Sequence, residues 1–323
     1  MIRGIALAAL ASVSMFGLSG EAQAQYPERP IQMIVPWAAG GGTDATGRII
    51  ATGLEEVLGV PVNVVNRTGG SGVVGHTAIA SAPADGYTIG VVTIEIGMMH
   101  WQGLTDLTYE NYDFLAQTNQ DAASVMVSTD SEYETAADLL AAIKESEPGT
   151  FKASGTGQGG IWHLGLIGWM MSEDLPPDQV AWVPSDGAAP GLQNMVAGGV
   201  DVVTAALPEG RSLIEAERVR PLANMDTKRL ELFPEVPTLK EATGSDWVLN
   251  VWRTIAAPKG LPPEVKEKLA SALKTVYDGA QYQDFMASRG FGTIFRGPEE
   301  TTEFVAAADK QLGETMRAGG LAQ

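Results

Sequence analysis

The sequence predicts an α/β protein of two lobes with a ligand cleft between them. Three observations carry that expectation. Short apolar runs alternate with glycine-rich turns and helical stretches, the pattern of strand–helix units that build helix-covered parallel sheets. Of the 323 residues, about 300 remain after a removable leader, enough for two domains of ordinary size. Four of the glycine-rich turns fall two per half of the chain, so several helix starts are aimed at one region.

The elements follow in order. Met1-Ile2-Arg3 is a basic start, residues 4–20 are small and apolar, and Ala22-Gln23-Ala24 reads as a cleavage site. Residues 1–24 are therefore expected to be a secretory signal peptide cut after about Ala24. Its apolar run is too short for a span of roughly 20 residues. Residues 31–35, IQMIV, predict a strand, and the loop WAAGGGTD leads from it into a helix ending near Leu58. PVNVV predicts a second strand to Asn66, then a loop and a helix to about Ala82. DGYTIGVVT gives a turn and a third strand. TFKASGTGQGGIWHLGLIGWMM and QVAWVPSDGAAPGLQNMVAGGVDVVTAAL repeat the strand, loop and helix theme, and VRPLANM adds a strand. WVLNVWRTIAAP predicts a long strand able to cross between lobes. The end is helical: residues 262–278, a segment near 282–288, and 298–316, two of them opened by proline and acid, which suit a helix start.

Composition narrows the function. The formal net charge of −18 argues against nucleic acid and anionic membranes. There is no cysteine, which removes disulfides, thiolate chemistry, zinc–cysteine sites and a lipid-anchored N-terminal cysteine. With 45% hydrophobic residues a sizeable core can form. No cofactor, no metal site, no nucleic-acid partner and no membrane insertion are expected, and the protein is expected to act as a monomer.

Four loops carry the site: WAAGGGTD, NRTGGSG, SGTGQGG and PSDGAAPG. Glycine at a strand–helix turn commonly serves only tight turning. Four in one chain would bring several helix N-termini to a cleft, each with roughly half a positive charge and bare N–H groups. That arrangement holds a carboxylate without a cation, and only Arg67 sits in these loops. Gly155, Gly157 and Gly160 match the dinucleotide spacing G-x-G-x-x-G, but the acidic residue some 20 positions on is missing. Histidines 76, 100 and 163 have no metal-ligand spacing. The stretch GGSGV fails as a nucleophile elbow.

YPERPIQMIVPWAAGGGTDATGR, VNVVNRTGGSGVVGHTAIASAPADGYTI, GTGQGGIWHL, VPSDGAAPGLQNMVAGGVDVVTA and FPEVPTLKEAT together resemble the Bug family, solute-binding receptors of tripartite tricarboxylate transporters. The resemblance covers nearly the whole mature chain. It implies a type II periplasmic-binding-protein fold, with residues 25–123 and 245–323 in one lobe and 124–244 in the other. It implies a periplasmic receptor, not an enzyme, that captures a small mono- or dicarboxylate for membrane transporter subunits. A secreted cofactor-free α/β enzyme acting on a small carboxylated substrate is the alternative, and a sensor module a third reading.

The ligand-binding residues implied come from each loop. The first loop gives Trp37, Ala38, Gly40, Gly41, Gly42, Thr43 and Asp44. The second gives Thr68, Gly70, Ser71 and Gly72, and the end of the third strand gives Thr93 and Glu95. The other lobe gives Ser154, Thr156, Gly157, Gln158, His163, Ser185, Asp186 and Ala205. Three positions depart from the family pattern. Ser185-Asp186 replaces an aromatic and a cation, and Glu95 stands where small or hydroxyl residues are common. Asp44 is expected to orient the first loop. Glu95 is expected either to bond a neighbouring loop or Arg253, or to accept a hydrogen bond from the solute.

Overall fold

The computed structural model describes residues 26–318 and 320–322. The expected signal peptide lies outside the described residues. The chain runs β1 (Ile31–Val35), α1 (Gly42–Leu58), β2 (Val62–Asn66), α2 (Val73–Ala80), β3 (Thr88–Thr93), β4 (Tyr112–Ala122) and β5 (Ser124–Ser128). It continues through α3 (Ala136–Glu145), β6 (Lys152–Ser154), α4 (Ile161–Ser172), β7 (Ala181–Trp182), α5 (Ala188–Val196), β8 (Val202–Ala205), α6 (Leu207–Glu215) and β9 (Val219–Asn224). It ends with α7 (Leu239–Thr243), β10 (Asn250–Pro258), α8 (Pro263–Asp278), α9 (Ala280–Arg289), β11 (Thr293–Arg296) and α10 (Pro298–Ala318).

Two sheets form, one per lobe. The larger has the order β11-β4-β10-β3-β1-β2 and the smaller β7-β6-β8-β5-β9. Neither is purely parallel, which corrects the expectation from the strand–helix pattern. β1 pairs parallel with β2 and β3, but β10 runs antiparallel between β3 and β4. In the smaller sheet β5 runs antiparallel between β8 and β9. The physical reason is the crossing between lobes. β4 passes through Ala123 straight into β5, and the chain returns into β10, so these strands enter their sheets without a helical crossover that would enforce parallel pairing. The crossing segments are bonded side by side: Ala123 N–H donates to Leu249 O (2.9 Å) and Met225 N–H to Ala123 O (2.7 Å).

Helix α1 shows how sequence sets the packing. Gly47, Ile50, Ala51 and Leu54 fall at helical spacing on its buried face. Its glycines let it approach closely, since a Cβ at Gly53 would come within 2.6 Å of Val276 on α8. Gly59 ends it in the left-handed conformation (φ 72°), its N–H bonded to Glu55 O. Ile31, Met33, Ile89, Leu269, Leu273 and Tyr282 complete the core between the larger sheet, α1, α8 and α9. The second core surrounds the smaller sheet, where α4 is buried almost all round, as its unbroken apolar sequence requires.

Candidate ligand-binding cleft

The larger lobe supplies one wall. The loop after β1 turns through Gly40, whose φ of +87° suits glycine, and enters α1 at Gly41, which has no side chain to cap the helix. Asp44 fixes this turn from behind. Its carboxylate accepts from Gly40 N–H (2.9 Å), Asn66 Nδ2 (2.9 Å) and Arg48 Nε (3.0 Å). Burial alone would raise its pKa, but these donors outweigh burial and hold it below the usual carboxylate range.

Trp37 closes the floor. Its indole N–H donates to Thr93 Oγ1 (3.2 Å), and the Thr93 hydroxyl donates to Glu95 Oε2 (2.5 Å). Thr93 N–H donates to His76 Nε2 (3.2 Å) while His76 Nδ1 bonds Gly72 O (2.8 Å). A carbonyl can only accept, so the proton sits on Nδ1 and the imidazole is neutral. Burial pushes the His76 pKa down to about 4, and burial pushes the Glu95 carboxyl up despite the Thr93 bond.

The smaller lobe supplies the facing wall. Helices α4 and α5 begin at Gly160 and Gly187, again with no side-chain cap. Ile161, Trp162 and Ala188 bring both helix starts to the cavity. The contact from the α4 start to the larger lobe is long: Ile161 N–H lies 3.5 Å from Glu95 Oε1. Thr156, 4% exposed, also lines the cavity, and its Oγ1 is buried without a hydrogen-bond partner. The walls nearly meet: the space free to a water-sized sphere is about 20 Å3, room for about one water molecule, so a solute enters only when the lobes part.

A buried ion cluster joins the walls. Arg253 on β10 meets Asp121 Oδ2 at 2.6 Å and, across the cleft, Glu209 Oε1 on α6 at 3.0 Å. Its Nε donates to Thr43 Oγ1 (3.0 Å) and its Nη1 also to Asn119 Oδ1. Glu209 Oε1 additionally accepts from Gly42 N–H (3.0 Å). Burial pushes the Glu209 carboxyl up, against the pull of Arg253. Ala38 N–H to Asp186 O (2.9 Å) and Ser71 Oγ to Gln158 O (3.2 Å) are further bonds between lobes.

Among the residues expected from sequence, Trp37, Ala38, Gly41, Gly42, Thr43, Thr93, Glu95 and Thr156 line this cavity. The others do not. Gly40 lies at the outer rim beside α6, and Asp44 sits behind the loop. Thr68, Gly70 and Ser71 belong to a loop facing the Gly157–Gln158 turn, where a Cβ on Gly157 would stand 2.3 Å from Ser71 Oγ. Gly72 backs the Trp37 ring, which would lie 3.1 Å from a Cβ at that position, so it shapes the floor without reaching the space. Ser154 and Ser185 bond the carbonyls of Val183 and Gly187. His163 accepts from Gly159 N–H (3.0 Å) and stacks on Trp182, which makes it a loop anchor. Asp186 is exposed and contributes its backbone carbonyl, and Ala205 O accepts from Ser124 Oγ. Sequence reasoning missed Ile161, Trp162, Gly187, Ala188, Glu209 and Val251 as lining residues, and named Arg253 only as a partner for Glu95. The charged Arg253 inside the apolar strand VWRTIAAP was the available signal for a buried ion cluster.

A family model described as "Tripartite tricarboxylate transporter family receptor" matches residues 46–321. The chain belongs to this family. The family is one of solute-binding receptors rather than enzymes. Among relatives of this receptor, the "UPF0065 protein in tcbD-tcbE intergenic region" of Pseudomonas sp. (strain P51) is 31% identical over 305 residues, 90% of this chain and 87% of that one. Protein BugT of Bordetella pertussis is 27% identical over 301 residues, 91% and 90% of the two chains. The receptor is also similar to a solved TctC solute-binding protein from Polaromonas (28% identity, 91% and 99% covered, TM-score 0.64). It matches the R. palustris protein Rpa4515 with adipate in fold (24% identity, 92% and 99% covered, TM-score 0.86). MatC from Rhodopseudomonas palustris, with bound malate, gives 20% identity, 90% and 99% coverage and TM-score 0.82. The periplasmic binding protein fold expected from the sequence is thus the fold of this receptor.

Proposed function

We propose that this receptor captures a small organic carboxylate between its lobes and delivers it unaltered to the membrane subunits of a tripartite tricarboxylate-type transporter. The observation that carries the reading is the meeting of two helix starts without side-chain caps, those of α4 and α5, at one cavity between the lobes, facing an α1 start whose Gly42 N–H is held by Glu209. Each favours an anion by roughly 0.3–1 kcal/mol, more when partly buried. The solved relatives hold adipate and malate, both small carboxylates. Trp37, Trp162, Ile161 and Val251 supply apolar wall for the solute's carbon frame.

The lobes divide at residues 123–124 and near 244–245, a division supported by which strands enter which sheet. Closure is then a hinge motion about the paired crossing segments, with the bonds between lobes formed on closing. Residues 1–24 direct the chain to the periplasm, where it works as a monomer. Among the described residues no helix is long and apolar enough to cross a membrane, and no cluster of three or more His, Asp or Glu side chains is placed to hold a metal ion. The test is native mass spectrometry of the mature protein incubated with pooled carboxylates. Retention of a solute at unchanged mass supports the reading. Appearance of a product, or retention of none of the pool, contradicts it.

A further inference from the structure

The start of α1 is the place where a receptor of this design has most to offer an anion. It has an uncapped helix end and, beside it, the guanidinium of Arg253. The protein fills that place itself. Glu209 Oε1, from the opposite lobe, accepts from both Gly42 N–H and Arg253 Nη2 at 3.0 Å, and Oε2 accepts from Ala206 N–H at 3.2 Å. The side chains of Glu209, Arg253 and Asp121 are each 3% exposed. Four of the five N–H donors of Arg253 are engaged, one by Glu209 and the others by Thr43, Asn119 and Asp121. Three carboxyl groups, Glu95, Glu209 and Asp121, surround this one guanidinium, and Glu95 and Glu209 face the cavity.

We infer that Glu209 is an internal anion that occupies the α1 end when the cleft closes, so that the receptor takes solutes with one carboxylate and rejects dicarboxylates. This deepens the carboxylate-receptor reading and rests on it. A second carboxylate would need the position Glu209 holds, or would lie unpaired beside Glu95, and a buried unpaired charge is costly. The donors left for the solute's single carboxylate are on the other wall: the starts of α4 and α5, with the unpartnered Thr156 hydroxyl beside them. Glu209 thereby sets specificity as well as holding the lobes together.

Glu209→Ala removes the carboxylate and leaves Arg253 paired with Asp121, so the chain keeps a neutral buried pair. Two measurements separate an internal anion from a merely structural contact. The first compares acetate with chloride at equal ionic strength in thermal melts. Acetate raises the melting temperature of E209A by several degrees more than that of the wild type, because it fills the vacated place. The second titrates matched pairs, hexanoate with adipate and butyrate with succinate. The wild type binds the monocarboxylate of a pair at least tenfold more tightly, and E209A shifts the ratio toward the dicarboxylate by tenfold or more. The inference is overturned if the wild type binds both members alike, or if acetate acts as chloride does on E209A. Should E209A not fold, Glu209→Gln keeps an oxygen for Gly42 N–H and removes the charge. The dicarboxylate ratio must then rise, and an unchanged ratio overturns the inference. If none of the four acids binds any variant, the carboxylate-receptor reading fails, while the acetate comparison still decides the role of Glu209.

Discussion

Gly42→Ala isolates closure of the cleft from folding of the lobe. A Cβ at residue 42 would stand 2.5 Å from Glu209 Oε1, 2.9 Å from Glu209 Cγ and 2.8 Å from Arg253 Nη2, where ordinary contact begins at 3.4 Å. The backbone itself accepts alanine, because Gly42 lies in regular helix and alanine favours helices. Arg253 is fixed by Thr43, Asn119 and Asp121, and Glu209 by Ala206 N–H, so neither swings aside freely. The overlap is relieved most simply by the lobes standing apart. Overpacking of this kind costs roughly 1–3 kcal/mol, and because it falls on the closed state it weakens solute binding by roughly 5- to 150-fold. Isothermal titration gives the affinity, and small-angle scattering with and without solute gives the closure. Gly297→Ala is the control, since it lies outside the cavity and a Cβ there meets nothing within 4 Å. If Gly42→Ala binds and closes as the wild type does, or if Gly297→Ala loses as much, the reasoning from this contact is wrong.

Three further outcomes follow from the same wall. Asp44→Asn weakens the bonds that hold Gly40 and Arg48, and denaturant unfolding should show a loss of about 1–2 kcal/mol with affinity changed less than threefold. Glu95→Gln keeps an acceptor for Thr93 and removes a carboxyl that burial pushes up. The folded wild type then holds a proton the unfolded chain releases above its ordinary pKa, so wild-type stability falls as pH rises through that interval. The melting temperature of the variant relative to wild type should therefore climb from pH 4.5 upward, and a flat difference would show Glu95 to be unperturbed. His76 is the opposite case: with a folded pKa of about 4 against an ordinary 6.5, the unfolded chain binds the proton first as pH falls. Stability present above pH 6.5 is lost toward pH 4, up to about 3 kcal/mol, and His76→Gln, which can make both bonds, should remove that part of the pH dependence in melts.

The strand–loop–helix units were legible because their signals are local. Residues 31–35, 42–58 and 62–66 form the elements that their periodicity and glycines indicate. β4, β5 and β11 were not recognised. β4 reads YDFLAQTNQDA, with Gln117, Thr118, Asn119 and Asp121 buried, because its polar side chains are offset by partners distant in sequence. Thr301 Oγ1 meets Gln117 N–H, and Asp121 meets Arg253 and Gly292 N–H. Such a strand has no apolar pattern to betray it. The same distance hid Glu209, whose local sequence, Pro208-Glu209, is that of an ordinary helix start. Its partner Gly42 is 167 positions away, and only the folded chain brings them together. The first glycine loop was found because a helix start leaves its N–H groups bare whatever the fold does elsewhere. The second, Arg67 to Gly72, carries the same sequence signal but is turned toward the rim, an outcome decided by how the lobes meet.

On the proposed function, the bare starts of α4 and α5 hold the solute's carboxylate. Thermal shift of the mature protein against a panel of monocarboxylates, dicarboxylates and their neutral amide analogues tests it most directly. A solute at roughly 100 times its dissociation constant should add about 2.7 kcal/mol of stability. The expected result is such a shift for at least one carboxylate, its absence for the matching amide, and its loss or marked reduction in Gly42→Ala. An amide that stabilises as well as its acid, or a shift that Gly42→Ala leaves untouched, would contradict it.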